Sequence, residues 1–185
     1  MADKLFISPE SLLLDSYKLA RKVLDSGFQP SFLIGIWRGG TPVGIAVQEY
    51  LAYHGVQCDH SAIRTSAYPG LDQRSKEIKV DGLDYVVRRA NAEDRILFVD
   101  DVYDSGLTIQ QVISQLEQLS RKNTPQEIKI ATVYYKPERN KTHRLPDYYI
   151  NKTDKWLVFP HELRELTEEE IRQGKGEAVW ELLQR

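Results

Sequence analysis

An open, mostly parallel α/β sheet with helices on both faces is the fold class the sequence predicts, and three observations carry it. Continuous apolar runs occur at Ser31–Trp37, Arg95–Asp100 and Glu127–Tyr135, as expected of strands buried on both faces. Amphipathic helical patterns of about 10–15 residues alternate with them, the sign of right-handed crossovers. No linker rich in Gly, Ser or Pro divides the chain.

The elements follow in order. Ser8-Pro9-Glu10 joins a capping hydroxyl, a proline at the first helical position and an early carboxylate. Leu12, Leu13, Tyr17, Ala20, Val23 and Leu24 then recur at helical spacing, and Gly27 closes the helix. Strand Ser31–Trp37 lies between Pro30 and Arg38-Gly39-Gly40, and a helix over Thr41–His54 ends at Gly55. Gln57–Ile63 reads as strand, Arg64–Glu77 as a polar loop holding Pro69-Gly70, and Asp81-Gly82 as the turn of a short ribbon. After Arg95–Asp100 come an acidic, glycine-containing turn and a helix from about Thr108 to Lys122, then strand Glu127–Tyr135. From Asp147 the chain becomes short aromatic pieces, until Thr167-Glu168-Glu169-Glu170 matches a capping box opening a terminal helix. The expectation is one domain over residues 1–185, with a core at about 30–145 and a small C-terminal cap or hood at about 146–185 together with the N-terminal helix.

Composition narrows the function. The 185 residues carry 25 Lys+Arg against 27 Asp+Glu, a net charge of −2, which removes the basic excess that long nucleic acid attracts. The lone cysteine, Cys58, excludes an intramolecular disulfide and reads as a small apolar residue of a buried strand. His54, His60, His143 and His161 show no metal-ligand spacing. Met1–Glu10 lacks a basic and then apolar leader pattern, and no run of about 18 apolar residues occurs, so a cytoplasmic protein without membrane association is expected.

Ligands of such sheets bind at the carboxyl ends of the strands. Three of the least generic segments follow a predicted strand directly: Trp37–Thr41, Asp100–Thr108 and Lys136-Pro137. They should share one edge. In the second, Asp104-Ser105-Gly106-Leu107-Thr108 lies between a strand and a helix, so its amides and hydroxyls form a turn suited to a phosphate monoester. Asp100 and Asp101 precede it. Two carboxylates beside a phosphate are costly unless they accept hydrogen bonds from a diol or face a metal ion, and a phosphorylated ribose offers the first. The glycine spacing matches neither a P-loop nor a dinucleotide fingerprint.

Ile96-Leu-Phe-Val-Asp-Asp-Val-Tyr-Asp-Ser-Gly-Leu-Thr108 resembles throughout the signature of the type I phosphoribosyltransferases, whose fold is a Rossmann-like open sheet with a small hood. The resemblance covers about residues 30–162. Arg38-Gly39-Gly40 is similar to the family's pyrophosphate loop, and Lys136-Pro137 with Asp154-Lys155-Trp156 to the base site of its 6-oxopurine branch.

The resemblance implies transfer of a 5-phosphoribosyl group from phosphoribosyl pyrophosphate (PRPP), with Mg²⁺, to hypoxanthine, guanine or xanthine. By that likeness Ser105, Gly106, Leu107 and Thr108 cradle the 5′-phosphate, while Asp100 and Asp101 hold the ribose hydroxyls or the hydrated metal. Asp104 manages the proton at purine N7, a role that needs a carboxylate in reach of the ring. Arg38, Gly39 and Gly40 receive pyrophosphate, with a cis peptide at Trp37-Arg38. Lys136 donates to purine O6, Trp156 stacks on the ring, Val158 lines the base site, and Glu162 corresponds to an acidic residue used for a second metal. Ser66 and Tyr68 stand in the flexible closing loop, separated here by Ala67 where many relatives have adjacent Ser-Tyr, and His161 stands where an aromatic residue is expected. The implied partners are PRPP and a purine base, without nucleic acid or membrane, in a homodimer or homotetramer. Two alternatives stay open: a non-catalytic regulator of the same fold that senses PRPP, and a transferase for another base.

Overall fold

The computed structural model describes residues 4–69 and 76–184. Its elements run β1 (Lys4–Phe6), α1 (Pro9–Asp25), β2 (Phe32–Trp37), α2 (Gly40–Tyr53), β3 (Asp59–Pro69), β4 (Lys76–Asp81), α3 (Asp84–Arg89), β5 (Arg95–Tyr103), α4 (Leu107–Ser120), β6 (Glu127–Tyr135), β7 (Tyr148–Lys152), β8 (Trp156–Val158), α5 (Glu168–Lys175) and α6 (Glu177–Leu183). Single 3₁₀ turns follow α4 at Arg121–Asn123 and β6 at Pro137–Arg139. The chain divides into two compact units, Asp15–Asp154 and the remainder, with α1 crossing the division.

The larger unit holds a six-stranded sheet of order β4-β3-β2-β5-β6-β7, parallel throughout except for the β3–β4 pair. It is the predicted α/β architecture. The apolar runs form its centre because strands sheathed by helices on both faces have no polar side to offer: Ile34, Ile96, Leu97, Phe98, Val99 and Ile130 are fully buried. One packed cluster joins Ile34, Phe98 and Ile130 to Val86 of α3 and to Val112 and Leu116 of α4. Each such side chain contributes about 1.5–3 kcal/mol by leaving water. On β2, Gly35 leaves room for the start of α2, since a Cβ there would lie 3.2 Å from the Gly40 carbonyl oxygen. Chain order places a switch point between β2 and β5: β2 connects through α2 to β3 on one side, and β5 through α4 to β6 on the other. The loops after β2, β5 and β6 therefore leave one sheet edge, as the topology argument requires.

The smaller unit contains the parallel pair β1–β8, aligned Lys4↔Trp156 to Phe6↔Val158, and the helices α5 and α6. Thr167 and Glu170 make both bonds of the capping box, at 3.3 and 2.9 Å. Lys4 reaches Glu170 at 2.7 Å. Among the described residues, no helix is long and apolar enough to cross a membrane.

Several boundaries differ from the sequence reading. The strand predicted over Arg95–Asp100 continues to Tyr103, so Asp100 and Asp101 lie within β5, with Asp100 opposite Thr132 of β6. Acidic residues mimic a turn signal, whereas pairing with β6 supplies the backbone bonds that hold them extended. The polar stretch from Arg64 is strand as far as Pro69 and pairs antiparallel with β4, Arg64↔Asp81 to Pro69↔Lys76. Asp81-Gly82 is not the turn of a ribbon as expected: β4 ends at Asp81 and pairs with the preceding β3, and Gly82, at φ 94°, leads into α3. Helix α4 stops at Ser120, followed by the 3₁₀ turn, because Arg121 takes φ 51°. The terminal helix is broken by Gly176, at φ 96° and ψ 155°, which no α-helix accommodates. Cys58 lies just before β3 and is half-buried; burial, and secondarily the Asp59 charge, raise its thiol pKa.

Candidate active site

The loop after β2 and the strand β5 meet at the switch point through two glycines. A Cβ on Gly39 would overlap the Asp101 carboxylate, and one on Gly40 would overlap the Val99 carbonyl oxygen and approach the Asp100 Cα to 2.9 Å. Only hydrogen atoms fit there. The Trp37-Arg38 peptide is cis, Arg38 is exposed, and its carbonyl accepts from the Thr41 amide at 3.1 Å as α2 begins. Gly39 and Gly40 thus stand directly beside the paired carboxylates, with Arg38 preceding them in the chain.

Asp101 is buried, and its amide donates to Asp100 Oδ1 at 3.0 Å. Burial first, and the neighbouring Asp101 charge second, raise the Asp100 pKa well above the usual carboxylate range, although the Asp101 and Gly40 amides pull it down. A cation or a set of hydroxyl donors at this pair would relieve both penalties. Among the described residues no three His, Cys, Asp or Glu side chains are grouped to hold a metal ion. A pair of carboxylates fits an ion that arrives with its own phosphate and water ligands, the usual habit of Mg²⁺.

The turn between β5 and α4 begins where β5 ends. Gly106 has φ 77°, and a Cβ on it would lie 2.6 Å from both Thr142 Oγ1 and Tyr103 Oη. Helix α4 opens at Leu107, whose amide donates to Ser105 Oγ at 3.4 Å, and the first bond of the helical ladder runs from the Gln110 amide to the Gly106 carbonyl. Among the described residues the Thr108 and Ile109 amides therefore have no intrahelical acceptor, and they stand available to an anion beside the half-buried Thr108 hydroxyl, while the Leu107 amide is taken by Ser105 Oγ. Below the turn, the Lys141 amide donates to the Ser105 carbonyl at 2.9 Å. Tyr103 Oη donates to the Arg144 carbonyl at 2.9 Å, and Asn140 Oδ1 accepts from the Thr142 amide at 2.9 Å.

Lys136 follows β6 and is 5% exposed, unlike the solvated lysine that its loop position would ordinarily give. Its amide donates to the Tyr103 carbonyl at 2.9 Å, fixing it against the end of β5. Its Nζ lies 3.6 Å from Asp104 Oδ2, and Arg139 Nε lies 2.9 Å from Asp104 Oδ1. The sequence argument missed Arg139, Tyr103, Asn140 and Thr142. For Arg139 a signal was present: Lys-Pro-Glu-Arg after a strand is compatible with one 3₁₀ turn, which eclipses the side chains three apart.

Ser66 sits on β3 opposite Lys79, its buried hydroxyl without a hydrogen-bond partner among the described residues. Tyr68 is opposite Glu77 by its backbone, while its side chain lies outside the described part. In the smaller unit, Trp156 is half exposed with Lys4 Nζ 5.9 Å from its ring centre, and Val158 is buried, its carbonyl accepting from the Ile7 amide at 2.9 Å. Glu162 Oε2 accepts from the Phe159 amide at 3.0 Å, Lys175 donates to the Phe159 carbonyl, and His161 stacks on Phe159 at 5.8 Å between ring centres.

A doubly wound sheet whose switch point carries a glycine loop, two adjacent carboxylates and a helix start with free first-turn amides defines an α/β protein of the kind that binds its ligand at the carboxyl ends of the strands. Residues 8–166 match the model of the phosphoribosyl transferase domain family, and the chain belongs to that family. A purine phosphoribosyltransferase from Pyrococcus horikoshii OT3 is 27% identical with a TM-score of 0.69, the match covering 89% of this chain and 97% of that one. A hypothetical protein from Neisseria gonorrhoeae with bound ppGpp is 20% identical with a TM-score of 0.75, over 95% and 97% of the two chains. The xanthine-guanine-hypoxanthine phosphoribosyltransferase of Helicobacter pylori is 21% identical with a TM-score of 0.64, over 85% and 92%. No curated protein sequence matches the chain.

Proposed function

We propose that this chain transfers the 5-phosphoribosyl group of PRPP to a 6-oxopurine, hypoxanthine, guanine or xanthine, and releases pyrophosphate. The observation that carries the reading is the buried Lys136 Nζ 3.6 Å from Asp104 Oδ2. A donor and an acceptor so placed match purine O6 and N7, neighbours on one edge of the ring. Adenine offers a second donor to Lys136, and a buried donor left unpaired costs about 1–3 kcal/mol.

In this mechanism the 105–108 turn holds the 5′-phosphate, Asp100 and Asp101 accept from the ribose hydroxyls, and Arg38 with the Gly39 and Gly40 amides binds the pyrophosphate. Asp100 and Asp101 would hold Mg²⁺ bound to PRPP, which would supply charge neutralisation for the leaving group. Purine N9 bonds to ribose C1 as the bond from C1 to pyrophosphate oxygen breaks, and the proton on N7 passes to Asp104. The protein contributes orientation and electrostatic stabilisation of a cation-like ribosyl group, without a covalent intermediate of its own. The roles that the resemblance gives Ser66, Tyr68, Trp156, Val158 and Glu162 belong to the same proposal, as do a cytoplasmic location and assembly into a homodimer or homotetramer.

The test is a steady-state assay with PRPP, Mg²⁺ and each purine in turn. Turnover of at least one 6-oxopurine, with adenine inert, is the expected result. Tight PRPP binding without turnover of hypoxanthine, guanine or xanthine would sink the reading.

A further inference from the structure

Asp104 meets a cation at each carboxylate oxygen, and the two cations come from one turn of chain. Pro137–Arg139 is a 3₁₀ turn closed by the Arg139 amide on the Lys136 carbonyl at 3.2 Å. In that geometry residues three apart eclipse, so Lys136 and Arg139 project side by side toward the same carboxylate. The turn is anchored elsewhere too: the Glu138 amide donates to Asp154 Oδ1 at 3.3 Å. The division of labour at Asp104 is unequal. Arg139 approaches Oδ1 at hydrogen-bond distance from solvent, whereas Lys136, buried, stands off Oδ2 at 3.6 Å. Oδ1 is thereby committed, and Oδ2 keeps its lone pairs on the side of Lys136.

We infer that Arg139 is a positioning residue: it fixes the rotation of the Asp104 carboxylate so that Oδ2, beside Lys136, is the oxygen presented to purine N7. The inference rests on the role proposed for Asp104 and extends it by naming what orients that group. The arrangement is that of a base oriented by a third residue. Without Arg139 the carboxylate of a half-exposed aspartate turns about its last bond, and among the described residues Oδ2 keeps the looser contact with Lys136. The loss should fall on the chemical step rather than on PRPP binding, because among the described residues the ion pair of Arg139 is with Asp104 and not with the 105–108 turn or the Gly39-Gly40 loop.

The experiment is a cycle on the full-length protein with PRPP, Mg²⁺ and hypoxanthine: Arg139→Gln, Arg139→Lys, Asp104→Asn and Asp104→Asn with Arg139→Gln. Expected are a fall of about tenfold in kcat for Arg139→Gln, between the effect of an exposed ion pair and that of a misplaced reacting group. KM for PRPP and the unfolding temperature should stay at wild-type values, and Arg139→Lys should regain most of the rate. In the Asp104→Asn background, assayed with more enzyme, Arg139→Gln should cost nothing further. Wild-type kcat in Arg139→Gln, or the same tenfold loss in the Asp104→Asn background, overturns the inference while leaving Asp104 its role. Wild-type kcat in Asp104→Asn removes that role and the inference together.

Discussion

The Gly39 Cα lies so close to the Asp101 carboxylate that a methyl group on this glycine would fall on Oδ2. The glycine is needed for space rather than for backbone freedom. Gly39→Ala must displace either the loop or the carboxylate, and overpacking of this kind costs about 1–3 kcal/mol. A rise of tenfold or more in KM for PRPP is expected, with a lowered unfolding temperature. Gly44→Ala is the control, since its Cβ would meet nothing nearer than 3.6 Å. In mid-helix it should be neutral or stabilising by up to ~1 kcal/mol, with kinetics intact.

Gly106 is constrained twice, by φ 77° and by the Thr142 and Tyr103 hydroxyls. Gly106→Ala adds a left-handed non-glycine residue, at about 1–2 kcal/mol, to a steric conflict with the support of the phosphate turn. Phosphate affinity should suffer first. Isothermal titration with PRPP should read a loss of at least tenfold, and unchanged affinity would show that the turn is not the phosphate site.

Asp100 sets stability against ligand capture. Its folded-state pKa is raised, so the native protein holds that proton more tightly than the unfolded chain does. Stability falls as pH climbs from the ordinary carboxylate range through the raised value. Asp100→Asn keeps an oxygen for the Asp101 and Gly40 amides and has no charge to bury. Its unfolding temperature without ligand should match wild type near pH 4 and exceed it at pH 8 by about 2–4 °C, the shift that ~1 kcal/mol gives a domain of this size. Stabilisation by Mg²⁺ with PRPP should be largely lost. Calorimetry at both pH values, with and without ligand, checks the pair of outcomes.

Lys136→Ala removes the donor assigned to purine O6 and leaves Asp104 with Arg139 alone. A hydrogen bond from a charged group is worth about 1.5–3 kcal/mol, so kcat/KM for hypoxanthine should fall by about 10- to 100-fold. KM for PRPP should not move. Unchanged kcat/KM for hypoxanthine would take O6 recognition away from Lys136.

Much of this molecule is legible in its sequence for a physical reason. The strands at the centre of a covered sheet must be apolar on both faces, so Phe32–Trp37, Arg95–Val99 and Glu127–Tyr135 announce themselves, and the segments following them share an edge by topology. The acidic pair and the turn proposed for phosphate stand out because two carboxylates before Ser-Gly-Leu-Thr have few structural excuses. The β3–β4 pair was not, because residues such as Arg64 and Lys79 on exposed strands look like loop composition. The three-residue strands β1 and β8 are too short to show a period. Arg139 escaped because its role depends on the geometry of a single 3₁₀ turn, which no hydrophobic pattern encodes.

The segment from Lys136 to Arg144 touches the site at both ends: Lys136 and Arg139 on Asp104, Lys141 under Ser105, and Thr142 beside Gly106. The part assigned to the nucleobase and the part assigned to the phosphate are therefore one mechanical piece. For protein engineering this sets a rule of change. On the proposed reading, substitutions at Lys136 would change which base is accepted, whereas an inserted or deleted residue between 136 and 141 would also shift the segment that supports Ser105, so base choice would be varied by side-chain replacement at fixed segment length.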